Sequence, residues 1–244
     1  ATASSKAVPS STPSSIPTLT TIPSASPSRI PTTEGFLAFS NLEAALSSDV
    51  SIINIVSEWV TFDYALTIDR NVTITSSVAT TLYASEQSQI FIVSEGVNLV
   101  VKNITFQNGY NSDGHGGCMY VTGNSFLEMY GVVFDSCFTE IIYGGLGGAL
   151  YIGDGSVAIL TDVTFTSNGA SSYYYSCWDH EKGGALYASR SDIRLKNTRF
   201  IDNMAIYGCY YIYGYGGAAY FYDSDVSLDS VVCTGNWAGE GGGC

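Results

Sequence analysis

The sequence predicts an all-β fold, a parallel β-helix, on three observations. A short phrase recurs at Gly147-Gly148-Ala149-Leu150-Tyr151, Gly183-Gly184-Ala185-Leu186-Tyr187 and Gly216-Gly217-Ala218-Ala219-Tyr220, with a degenerate copy at Gly116-Gly117-Cys118-Met119-Tyr120 and a fifth beginning at Gly242-Gly243-Cys244. A second motif alternates with it: apolar runs close on Phe134, Phe165, Phe200 or Cys233, and Cys137, Asn168, Asn203 and Asn236 stand three residues beyond those ends. An earlier run closes on Phe106, with Asn108 two residues on. Third, the distance from the phrase's Tyr to the closing residue is 14, 14, 13 and 13, whereas the distance from Phe106, Phe134, Phe165 and Phe200 to the second Gly of the next pair is 11, 14, 19 and 17. All the variation falls in one loop per repeat, as expected of stacked coils whose insertions emerge on one side.

The constant segment has the side-chain period of strands. Counting back seven, five, two and zero from the closing residue gives Leu99, Val101, Ile104, Phe106; Leu127, Met129, Val132, Phe134; and Ala158, Leu160, Val163, Phe165. The last two sets are Ile193, Leu195, Thr198, Phe200 and Val226, Leu228, Val231, Cys233. Nineteen of these twenty positions are apolar, Thr198 being the exception, and the positions between them are mixed. Two short strands joined by a two-residue bend, with one dry face, describe one coil of a parallel β-helix.

The alternation of GGA-[LIV]-Y with F-x-x-N resembles the repeat of the chlamydial polymorphic outer membrane proteins, which also occurs in protist and algal surface proteins. More broadly it is similar to the right-handed β-helices of the pectin-lyase-like class. The resemblance covers roughly residues 35 to 244 and implies a right-handed, single-stranded solenoid. It implies little about function, because that class includes lyases, hydrolases, epimerases, adhesins and structural proteins. Cys137 and Cys233 depart from the repeat, which suggests that local disulfides replace part of its packing.

In chain order, residues 1–34 form an extended Ser/Thr/Pro-rich arm and residues 35–244 the β-helix, with a cap at about 35–60. All six prolines lie in the first 31 residues, and such a segment is PPII-like. Its hydroxyls at Ser10, Ser11, Thr12, Ser14, Ser15, Thr18, Thr20, Thr21, Ser24, Ser26 and Ser28 are candidates for O-glycosylation. Val8, Ile16, Ile22 and Ile30 stand directly before prolines, so the arm reads either as a stalk or as a strap laid along a neighbouring subunit. Ser40 to Leu46 reads as a short capping helix, with Ser40 as N-cap and Glu43 in the capping-box position. Residues 51–56, 66–68, 72–75, 80–83 and 89–93 are strand candidates, and a helix ahead of irregular coils protects the open edge of a β-helix. Asn71-Val72-Thr73 and Asn103-Ile104-Thr105 are N-glycosylation sequons, Asn103 at the outward bend between two strands.

The long loops hold Tyr173, Tyr174, Tyr175 and Trp178, then Tyr207, Tyr210, Tyr211, Tyr213 and Tyr215. These aromatics pack on each other, form a subunit interface or contact glycans. Of the six cysteines, Cys177 and Cys209 lie in successive loops and are the candidate disulfide; Cys118, Cys137, Cys233 and Cys244 have no assigned pairing. The absence of C-x-x-C spacing argues against zinc or redox motifs and for an oxidising compartment.

Nine Lys and Arg against 22 Asp and Glu give a formal charge of −13, which argues against nucleic acid or an anionic membrane as partner. It leaves room for Ca²⁺, though no EF-hand loop occurs and no cofactor is expected. No apolar run reaches bilayer-spanning length, and the start at Ala1 fits a processed mature chain and a truncated one equally. Gly114-His115-Gly116 and Arg194-Leu195-Lys196 resemble two polygalacturonase motifs, but the N-T-D and paired-Asp motifs are missing. The charged cluster Asp179-His180-Glu181-Lys182 reads as a solvated loop tip, and with two histidines in the chain a catalytic triad has no support. The sequence therefore points to a non-enzymatic structural subunit of an extracellular glycosylated filament or coat, self-associating through arm, coil edges and Tyr-rich loops. The alternatives are a secreted adhesin or carbohydrate-binding β-helix and, third, a polysaccharide lyase, hydrolase or epimerase.

Overall fold

A computed structural model describes residues 39–141, 144–172, 181–206, 214–239 and 242–243. The arm at 1–34 and most of the Tyr-rich loops lie outside these residues. The described chain is a parallel β-solenoid: apart from one helix, short strands stack in register on their counterparts one repeat away, and every strand pair is parallel.

One coil shows the plan. Strands Met119–Val121, Phe126–Tyr130, Val133–Asp135 and Phe138–Ile141 turn once around the axis, and the next coil repeats them as Leu150–Ile152, Val157–Thr161, Thr164–Thr166 and Gly169–Ser172. The register joins Leu150 to Met119, Leu160 to Met129 and Phe165 to Phe134, so each repeat position becomes a column along the axis. Corners are set by backbone conformation. Asn103, Gly131, Asp162, Asn197 and Ser230 stack at one bend, and Asn108, Ser136, Ser167, Asp202 and Gly235 at the next, all with φ between +50° and +68°. Gly, Asn and Asp dominate these positions because they enter the left-handed region at least cost.

The interior consists of the columns the spacing predicts. Phe106, Phe134, Phe165 and Phe200 are buried and stacked, with ring centroids 5.0, 5.0 and 4.9 Å apart. Thr198 is also buried, and its hydroxyl donates to the Leu160 and Lys196 carbonyls at 3.4 and 3.3 Å, which satisfies the one polar group in the set. Beside the phenylalanines runs an asparagine ladder. Asn168 Nδ2 donates to the Phe134 carbonyl at 3.0 Å and to Asn203 Oδ1 at 2.9 Å; Asn203 Nδ2 does the same to the Phe165 carbonyl and Asn236 Oδ1. Where Cys137 replaces the asparagine, it forms a disulfide with Cys118, which replaces the phrase's alanine (Cα–Cα 5.4 Å). The bridge thus joins two repeat positions that face each other within one coil, and both cysteines are buried.

At the start, helix Phe39–Leu46 places Leu42, Ala45 and Leu46 against the core. Arg70 donates to the Leu46 and Ala45 carbonyls at 2.8 and 2.9 Å, filling acceptors that a helix C-terminus leaves open. Ser40 lies inside the first turn rather than ahead of it, and the Glu43 carboxylate accepts from the Tyr64 hydroxyl at 2.7 Å instead of closing a capping box. Three strand expectations also change. Trp59–Thr61 is an additional strand; the runs at 72–75 and 80–83 belong to one strand, Val72–Tyr83, with a register shift between Thr75 and Thr80; and Asn98–Gln107 runs unbroken through its bend.

Candidate functional site

The variable loops leave and re-enter the solenoid beside the glycine phrase, so their roots are the place to look for a site. In each phrase the residue before Tyr faces the core and Tyr faces out. Tyr120, Tyr151, Tyr187 and Tyr220 consequently form a second aromatic column outside the core, half-buried except for Tyr187, which is buried, with centroid spacings of 5.0, 5.4 and 5.8 Å. His115 packs on its lower end, 4.9 Å from Tyr151.

The loop roots pack against this column. Glu181–Lys182 pairs in parallel with Gly214–Tyr215; Lys182 Nζ lies 5.5 Å over the Tyr220 ring, and Tyr215 approaches the same ring at 6.4 Å. Glu181 is buried, not on a solvated tip, because it belongs to a strand whose neighbouring positions are Gly145 and Gly214. Asp179 and His180 lie outside the described residues.

Burial governs the titration of this column. Burial first, and then the Tyr120 and Tyr187 hydroxyls, push Tyr151 up to about 12, and burial raises Tyr187. Burial likewise lowers His115 from 6.5. Each shift favours the neutral form. Stacking also occupies the ring faces, leaving edges rather than flat platforms toward solvent.

Two ion pairs lie on the surface. Arg190 forms a bidentate pair with Asp154, whose carboxyl is held below its ordinary range by Arg190 and then Ser189; Arg194 pairs with Asp192 at 2.9 Å. A shallow groove of about 620 Å³ runs past Arg190, Asp192, Asp223 and Asp225. Among the described residues no group of three or more His, Cys, Asp or Glu could hold a metal. The two polygalacturonase-like triplets are not brought together: His115 bridges to Leu146 beside the phrase, while Arg194 lies in the twelve-stranded sheet, paired to Ile159 and Ser227.

Of the remaining sequence candidates, Asn71 and Asn103 are both exposed, and Tyr215 sits at a loop root. Tyr173, Tyr174, Tyr175, Trp178, Tyr207, Tyr210, Tyr211 and Tyr213, the pair Cys177 and Cys209, and all arm hydroxyls lie outside the described residues. Cys233 is also disulfide-bonded. Sequence reasoning left the outer tyrosine column and the Cys118–Cys137 bridge unassigned. The signal for each was present, in the invariant Tyr of the phrase and in two cysteines replacing Ala and Asn of one repeat.

Over a 98-residue stretch, 38% of this chain, the sequence is 35% identical to the probable autotransporter YfaL of Escherichia coli strain K12. The chain spans 7% of that protein's length. No family model and no solved structure matches the chain. A parallel β-solenoid, stapled within one coil and partly similar to a probable autotransporter, is thus the frame in which function has to be sought.

Proposed function

We propose that the chain is a structural subunit of an extracellular, glycosylated filament or surface coat, in which subunits associate through the arm, an exposed coil edge and the Tyr-rich loops. The observation that carries this reading is the repetition of coils in register: Phe106, Phe134, Phe165 and Phe200 stack inside and Tyr120, Tyr151, Tyr187 and Tyr220 stack along the outward face of the glycine phrase, which is a regular scaffold and not a cluster of reactive groups. Helix Phe39–Leu46 packs Leu42, Ala45 and Leu46 against the core of the first coils. Two features support an extracellular location: the buried Cys118–Cys137 bridge, which suits an oxidising compartment, and the similarity to a probable autotransporter. Among the described residues no helix is long and apolar enough to cross a membrane.

The test is electron microscopy of the intact protein beside the same protein lacking residues 1–33. Ordered fibres from the intact chain, lost on deletion, are expected. Monomers in both samples would end the reading and turn attention to the adhesin and enzyme alternatives, neither of which a specific feature of the described site favours.

A further inference from the structure

We propose that Asn103 carries an N-linked glycan and that the bend it occupies is therefore closed to subunit contact. The sequon is only the first reason. Asn103 stands at a left-handed corner with φ +56°, which turns its side chain out of the coil, and it is exposed. The position above it is Gly131, where a Cβ would come within 2.9 Å of Asn103 Oδ1; glycine leaves that space clear. Further along the same column the space is filled, because Asn197 Nδ2 donates to Asp162 Oδ1 at 3.0 Å. The other sequon differs: Asn71 Oδ1 accepts the Asn98 backbone N–H at 2.8 Å and is tied into the coil stack.

The chemistry requires a lipid-pyrophosphate-linked oligosaccharide as co-reactant. The Asn103 amide nitrogen attacks the anomeric carbon, a C–N bond forms, the anomeric C–O bond breaks with its electron pair leaving on the pyrophosphate, and the nitrogen loses one proton. A glycan there covers the corner at which Asn103 stands, so contacts between copies must lie away from that corner.

The inference rests on the extracellular reading, but the two fail separately. Exclusion of a membrane-impermeant amine label from the protein on intact cells would overturn the location. The site is tested on the folded protein secreted through a eukaryotic secretory pathway, by peptide N-glycosidase F release in heavy-oxygen water and peptide mass spectrometry. Label at Asn103 is expected, together with loss of one glycan's mobility shift in both Asn103→Asp and Thr105→Val. Asp tolerates the left-handed corner and Val keeps the strand shape, so both variants fold. An unmodified Asn103, or an unchanged shift in both variants, overturns the proposal.

Discussion

Four side-chain hydrogen bonds converge on Asn203, more than on Asn168 or Asn236 in the same ladder. Its amide nitrogen serves the Phe165 carbonyl and Asn236 Oδ1, and its oxygen accepts the backbone and side-chain N–H groups of Asn168. The side chain is fully buried, so no water can replace these partners. Asn203→Ala strands the Asn168 N–H and the Phe165 carbonyl, at about 1–3 kcal/mol each, and is expected to lower stability by about 3 kcal/mol. Asn236→Ala removes a half-buried member of the same ladder and should cost distinctly less. Urea midpoints of the two variants, with unchanged slope, measure the difference; equal losses would show that the ladder's burial does not set its worth.

At the scale of the element, the glycine phrase holds the coils together because the backbones touch there. A Cβ on Gly184 would sit 2.1 Å from the Gly217 carbonyl oxygen and 2.5 Å from the Met204 carbonyl carbon, neither of which can move without separating coils. Gly184→Ala is therefore expected to abolish soluble folded protein. Gly96→Ala provides the contrast: its φ of +75° is unfavourable for alanine, but nothing lies within 4 Å of the added carbon, so the expected cost is about 1 kcal/mol. Circular dichroism and soluble yield distinguish the two, and a folded Gly184→Ala would mean that the coils are not packed through this phrase.

The same contrast explains what is legible in the sequence. Inward columns such as Leu99–Leu127 and Phe106–Phe134 are readable because every coil must bury the same positions, and the demand recurs at a fixed count from the closing residue. The extra strand Trp59–Thr61 is not, since the first coils carry no glycine phrase and their edges are set by pairing with the long strand Val72–Tyr83. The recurring Tyr of the phrase is visible, but that its copies stack face to face emerges only when coils are set in register. For Cys118 and Cys137 the deciding fact is a closeness across one coil that linear spacing does not express.

For the whole molecule, a solenoid is stable through nearest-neighbour contacts, so its coils should not open together. In the central coils Phe134 and Phe165 are fully buried and stacked on both sides, while strands Ala219–Tyr222 and Asp225–Asp229 have a neighbour on one side among the described residues. Hydrogen exchange should follow that gradient, slow across residues 126–166 and fast across 219–239. Assembly through coil edges, as proposed above, makes a sharper prediction. In fibres the amides of 219–239 should gain protection of at least about tenfold, the equivalent of about 1.4 kcal/mol, while those of 126–166 change little. The strands around Asn103 should stay as accessible as in the free subunit, because a glycan-bearing corner takes no partner. Protection that rises instead around Asn103 and leaves 219–239 unchanged would place the contact on the wrong side of the molecule for both the coil-edge mechanism and the glycan.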